Sequence, residues 1–181
     1  LYFVNQRYSN SLHKYHTIAA FNSLIDEIDS IVDKENIDII IMGTKGETDD
    51  RSLTFGSHAM QVLRYVKCPV MLIPKDCVYT QPKQLVFPTN YMTKYSSREL
   101  KLLSELTSQY EAELSFLYVS KNKKMSFRQE DNLLFIKDTL SDNSVNFIRI
   151  DETNIARGVN TYICKHKIDM LIMVNTRHSF L

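Results

Sequence analysis

The hexapeptide Ile-Asp-Ile-Ile-Ile-Met at 37–42 limits the fold more than any other stretch of the chain. A short, almost continuous β-branched run suits a strand buried on both faces, the condition of a parallel sheet covered by helices. Residues 70–73 and 168–174 are further runs of this kind. Helical patterns lie between them. Over 20–35, Phe21, Leu24, Ile25, Ile28, Ile31 and Val32 fall three and four apart, which is one face of a helix. Over 58–66, Ala59, Met60, Leu63 and Val66 do the same. Ser57 is the expected N-cap there, with Arg64 and Lys67 in the last turn and Cys68-Pro69 as the stop.

The later part of the chain repeats the alternation. Strands are expected at 85–90, 112–119, 145–150 and 168–174. Helices are expected after Ser96 or Ser97 and at 129–140 and 155–166. Residues 1–5 and 16–20 read as short strands, and Lys121 to Lys124 as a basic turn. The fold class is therefore α/β with a doubly wound parallel sheet. Residues 74–84 hold two of the four prolines and little apolar content, a linker signal. The domain reading is 1–76, a linker at 77–84, and 85–181.

Composition excludes more than it assigns. With 44% hydrophobic and 24% charged residues over 181 positions, a sizeable core can form. A net charge of +1 gives no electrostatic case for nucleic acid. No apolar run approaches the ~20 residues of a membrane helix, and the first ten residues do not read as a secretion signal. Three cysteines with no C-x-x-C pair point to a reduced, cytoplasmic setting.

Two internal alignments stand out. Residues 37–42 match 168–173 (Ile-Asp-Met-Leu-Ile-Met) at an offset of 131, and 1–5 match 117–121 at an offset of 116. The chain reads as two tandem copies of one unit. The first lacks an equivalent of 85–116, and the second stops where its glycine loop is due, so both copies are expected to be incomplete, at opposite ends.

Only four glycines occur in the chain, and Gly43, Gly46 and Gly56 fall within fourteen residues. Such clustering points either to φ > 0 or to close approach of a partner to the backbone. Two residues separate the first pair, nine the second, and Ser57 follows. This spacing, after a strand and before a helix, resembles the nucleotide motif of the universal stress protein family. Residues 67–74 resemble that family's closing strand and 85–90 its opening strand. The resemblance implies two copies of an adenine nucleotide alpha hydrolase-like fold, five strands in each complete copy. It also implies ATP binding in a stress-response regulator, with Mg²⁺ as a possible companion.

On the residues that match, the phosphate site falls on Met42, Gly43, Gly46, Gly56, Ser57 and His58. The glycines admit phosphate oxygens to the backbone, and the opening of a helix favours an anion. There is no Walker lysine. The second copy departs from the pattern: Asn90 stands where the family has an adenine-contacting acid, and Val174 and Arg177 stand at the positions of Gly43 and Gly46. It is expected not to bind ATP in this way. Glu47, Asp49 and Asp50 lie inside the first loop and repel a triphosphate unless Mg²⁺, Lys45 or Arg51 compensates. The alternative is a nucleotide-free protein-interaction module of the same fold, and self-association through the closing strand 68–74 is implied for either. An enzyme ranks last, a slow ATPase at most, because no base or nucleophile is evident. His13 and His16 read as an ordinary polar loop, Cys68 as a core thiol, and Met42, Met60, Met71, Met170 and Met173 as core.

Overall fold

The computed structural model describes residues 7, 10, 12–44 and 55–174. The chain divides into two compact units, Leu1–Val78 and Tyr79–Leu181. In the first lie α1 (Leu24–Glu35), β1 (Ile40–Gly43), α2 (Ser57–Tyr65) and β2 (Val70–Ile73). In the second lie β3 (Gln84–Pro88), α3 (Ser97–Tyr110), β4 (Glu113–Val119), α4 (Phe127–Thr139), β5 (Val145–Ile150), α5 (Ile155–His166) and β6 (Met170–Leu171).

Helix α1 starts later than its apolar spacing suggests. The Ser23 side chain accepts from the Asp26 amide at 3.3 Å, and Asp26 and Glu27 occupy the first turn, where carboxylates suit the dipole. Ala20 to Asn22 are thereby left outside, and Phe21 is exposed. Residues 16–20 join no strand. Asn36 ends the helix in the left-handed region (φ 50°) and turns the chain into β1.

β1 and β2 pair in parallel, with Ile40 opposite Val70 and Gly43 opposite Ile73. Ile40, Met42 and Val70 pack with Ile25, Ile28 and Val32 of α1 and with Val62 and Val66 beside them. Both helices cover the same face of this two-stranded sheet. Ile41 (64% exposed) and Ile73 (37%) lie on the other face. The expectation that 37–42 is buried on both faces therefore fails in this unit. A strand's side chains alternate between faces, and the described helices of this unit cover one of them. Five strands are expected in each complete copy; the described residues provide two in this unit and four in the next.

The second unit is doubly wound. Its strand order is β5-β4-β3-β6, all parallel. Leu85, Phe87, Leu114 and Phe116 point to one face, against Leu100 and Leu103 of α3 and Ile136 of α4. Val86 and Leu117 point to the other, against Val159 and Tyr162 of α5. The central strands β3 and β4 are thus buried on both sides, as their continuous apolar runs require. Ser96 and Glu99 form a capping box that opens α3, with the Glu99 carboxylate accepting from the Ser96 amide at 2.6 Å. Helix α4 begins at Phe127, two residues before its expected start, because the Gln129 side chain accepts from the Ser126 amide and fixes the entry there. β6 is shorter than the expected 168–174, although the Asp169 and Ile172 amides still donate to Gln84 and Val86 carbonyls at 2.9 Å.

Gly158, the glycine outside the cluster, lies in α5. A Cβ there would stand 2.8 Å from Val119 Cγ1. Alanine favours a helix over glycine by ~1 kcal/mol, but the β-branched Val119 has little rotamer freedom with which to yield. Gly158→Ala is expected to cost a net ~1–2 kcal/mol as an overpacking change, measured by urea unfolding, whereas Gly158→Ala with Val119→Ala should recover part of that loss.

Candidate functional site

The described members of the predicted phosphate set, Met42, Gly43, Gly56, Ser57 and His58, gather at the carboxyl end of β1. Gly43 closes the strand and is exposed. The Thr44 amide then donates to the Ile73 carbonyl at 3.1 Å, and the Thr44 carbonyl accepts from the Gly56 amide at 2.8 Å. This last bond joins the two ends of the loop, so Gly43 and Gly56 are brought together although thirteen positions apart. Gly46, Lys45, Glu47, Asp49, Asp50 and Arg51 lie outside the described residues.

Gly56 is the N-cap of α2, with φ −69° and ψ 160°, and its carbonyl accepts from the Met60 amide at 3.1 Å. The expected cap, Ser57, is instead the first helical residue. The shift has a chemical consequence. A serine cap would occupy one of the first amides with its own hydroxyl, whereas Gly56 offers no side chain, and α2 has no acidic residue in its first turn. The hydroxyl of Ser57 and the ring of His58 are both exposed at this end. Met42 contributes differently: its thioether packs in the core of the unit, so only its backbone stands near the loop.

Neither Gly43 nor Gly56 has a positive φ. A left-handed backbone therefore does not explain glycine at either place, and Gly56 serves as a helix N-cap.

In the second unit, the carboxyl ends of β3 and β4 border a cleft of about 210 Å³, lined by Pro88, Thr89, Asn90, Thr93, Tyr95, Leu117, Val119, Ile155 and Val174. It lies where the strand order reverses about β3, the place where doubly wound sheets leave a crevice. The turn after β3 is heavily tied. Thr89 Oγ1 accepts from the Tyr91 amide at 3.0 Å and lies 2.6 Å from the Tyr95 hydroxyl. Asn90 Oδ1 accepts from the Met92 amide at 2.9 Å. From α4, Gln129 donates to the Asn90 carbonyl and Asn132 to the Tyr91 carbonyl, each at 2.7 Å. These bonds hold Tyr91 in the left-handed region (φ 56°), a strained place for a bulky residue. Thr89-Asn90 carries an Asx-turn signal in the sequence. The α4 partners do not, because their contribution is long-range.

Among the described residues, no three His, Cys, Asp or Glu gather as metal ligands. His13 meets Tyr15 and Asn10. Cys68 is a buried thiol that donates to the Ile37 carbonyl.

Burial pushes the Tyr91 phenol well above its ordinary value of 10, with Tyr95 and Tyr118 adding to the effect. The Tyr95 phenol is also raised by burial, against an opposing hydrogen bond from Thr89. Both rings are neutral in the fold, while an unfolded chain ionises them near pH 10. Stability is therefore full below that pH and falls as pH rises above it, because the unfolded state there binds fewer protons. Urea unfolding between about pH 8 and 11 should show this decline, and Tyr91→Phe should lessen its slope.

Residues 7–74 match the model of the universal stress protein family. A curated universal stress protein of Methanocaldococcus jannaschii is 34% identical over 62 residues, which make up 34% of this chain and 36% of that relative. The fold is similar to the crystal structure of a universal stress protein from Archaeoglobus fulgidus, with a TM-score of 0.62 and 17% identity over 82% of this chain and 54% of that one. It is also similar to a functionally unknown protein of Pseudomonas aeruginosa PAO1, with a TM-score of 0.59 and 11% identity over 88% and 60%. The match thus spans about a third of the curated relative, and about half of the Archaeoglobus chain.

Proposed function

We propose, from the match of residues 7–74 to the universal stress protein family, that the first unit binds an adenine nucleotide, ATP foremost, as a stress-response regulator. The observation that carries this reading is the pair Gly43 and Gly56. Both stand at the joined ends of one loop, and neither needs glycine for its backbone angles. In this reading the two glycines keep space beside the backbone, and the start of α2, where no side chain caps the first amides, supplies N–H groups and partial positive charge for a phosphate. Gly46 belongs to the same phosphate loop. Ser57 and His58 stand at the helix opening, the serine as a hydroxyl donor. Mg²⁺ would offset the carboxylates of Glu47, Asp49 and Asp50.

Titration calorimetry with Mg-ATP tests the assignment. Gly43→Val keeps an extended backbone that valine adopts readily, so the variant should fold. Its affinity should fall at least about tenfold, equivalent to ~1.4 kcal/mol. Wild-type protein that gives no heat with millimolar nucleotide would sink the reading.

A second reading is a nucleotide-free interaction module. The exposed Ile41 and Ile73 on the bare face of the β1–β2 sheet favour it. In both readings copies associate through 68–74. Ile73→Glu should then shift sedimentation equilibrium toward the monomer while leaving the melting temperature within about 3 °C. Unchanged association would remove the closing strand from the contact.

A further inference from the structure

We propose that the turn between β4 and α4 is a docking surface for an anionic lipid bilayer, which it meets edge-on without spanning it. Charge is the first reason. Residues 121–128, Lys-Asn-Lys-Lys-Met-Ser-Phe-Arg, hold four cations and no acid, in a chain of 22 basic and 21 acidic residues. Lys121 pairs with Asp151 at 3.4 Å. Lys123, Lys124 and Arg128 are exposed and enter no ion pair among the described residues. Such a block is drawn to a surface of anionic headgroups. The second reason is apolar. Phe127 is the first residue of α4 and is 87% exposed, and Met92 is 45% exposed. The Ser126 hydroxyl lies 3.9 Å from Met92 Sδ, which sets this thioether beside the helix opening. Cations around exposed apolar side chains are the pattern of a surface that lies on a membrane.

The turn is held by bonds that leave these side chains outside. Arg149 on β5 donates to the Ser120 and Lys121 carbonyls at 3.0 and 3.2 Å, and the Asn122 amide donates to Ser120 Oγ at 3.0 Å. Met125 packs inward on the core, and the Ser126–Gln129 box fixes the helix start. Lys123 and Lys124 before Met125, and Phe127 and Arg128 after the cap, are therefore presented together at one edge of the unit. Little order has to be created on binding. Glu130 and Asp131 follow Phe127 by three and four positions, about 5 Å further along the helix. They keep the body of α4 off an anionic surface and confine the contact to the turn, hence the edge-on approach. The aromatic content decides the kind of polyanion. A single strand of nucleic acid is held by several rings that stack on successive bases along a basic groove. Residues 121–128 carry one ring, Phe127, with the Met92 thioether beside it, which suits acyl chains better than bases.

Cosedimentation of the whole chain with vesicles tests this. The vesicles are phosphatidylcholine alone, or phosphatidylcholine with an equal amount of phosphatidylglycerol. The chain should pellet with the anionic vesicles and not with the neutral ones, and rising salt should release it. Each cation at such a surface contributes about fivefold to partitioning, so Lys123→Gln with Lys124→Gln should lower it about twenty-five-fold. Phe127→Ala should lower it about tenfold through the lost ring. Lys34→Gln with Lys165→Gln removes the same charge from exposed positions on α1 and α5 and should leave partitioning unchanged. All these positions are exposed, so the variants should keep the wild-type urea midpoint. None of these outcomes depends on nucleotide binding by the first unit. The proposal is overturned if anionic vesicles do not pellet the chain, if Phe127→Ala leaves partitioning unchanged, or if the Lys34 and Lys165 pair lowers it as much as the turn pair. It is also overturned if single-stranded poly(U) displaces the chain from the vesicles by binding the same turn.

Discussion

One carboxylate sets the frame of the second unit. Asp169 Oδ2 accepts from the Lys83 amide at 2.8 Å and from the Gln84 amide at 2.9 Å, bridging residues more than eighty positions apart. The two amides lie at the start of β3, before any ladder partner can reach them. Each of these exposed bonds to a charged acceptor contributes on the order of 1 kcal/mol, and together they tie down the start of β3. The bridge also fixes the register of β6, with Met170 opposite Leu85 and Leu171 opposite Val86. That register carries the chain forward to Val174 at the rim of the cleft. A slip of one residue would turn Met170 and Ile172, both packed on the α3–α4 core, to the opposite face.

The aromatic interior depends on the same register. Phe87 meets Tyr95 edge-on and Phe116 at a tilt, both at 5.1 Å, and Phe116 stacks on Phe147 at 5.4 Å. This row crosses β3, β4 and β5 on one face, so each ring is positioned by the strand pairing beneath it. Each such pair contributes ~0.5–1.5 kcal/mol beyond its burial. On the other face, the Tyr162 hydroxyl reaches Ser115 at 3.2 Å and satisfies a buried polar pair. The cleft is therefore bounded by elements that packing has already made stiff.

Much of this was legible in the residues. Strands at 70–73 and 145–150 and the helix at 155–166 have the bounds that periodicity predicts, because hydrophobic pattern and turn chemistry agree there. The α/β fold follows from the alternation of apolar runs and helical patterns, and the likeness to the universal stress protein family from the glycine spacing and its flanking strands. Errors collected at element ends, where the cap overrides apolar spacing: Ser23 delays α1, the Ser126–Gln129 box advances α4, and Gly56 takes the cap expected of Ser57. The bare face of β1–β2 was not legible. Which face is covered depends on where a helix returns, not on the strand's composition. For the site, Gly43 and Gly56 were found by spacing alone, but their joining through Thr44 involves a backbone bond that leaves no mark in the side chains.

The paired segments 37–42 and 168–173 show how far one sequence can decide its own role. Both begin Ile-Asp, and both continue in a β-branched or apolar run. Asp169 anchors a neighbouring strand, whereas Asp38 is exposed. β6 pairs with β3, a strand buried on both faces, while β1 pairs with β2 and leaves Ile41 uncovered. The difference comes from the neighbours that topology supplies and not from the segments themselves. The next residue differs in kind as well: Gly43 after one segment, Val174 at the matching place after the other. A single Cβ and its methyls are what separate the two matching positions, Gly43 closing β1 with bare backbone and Val174 carrying a side chain packed on the α3–α4 core.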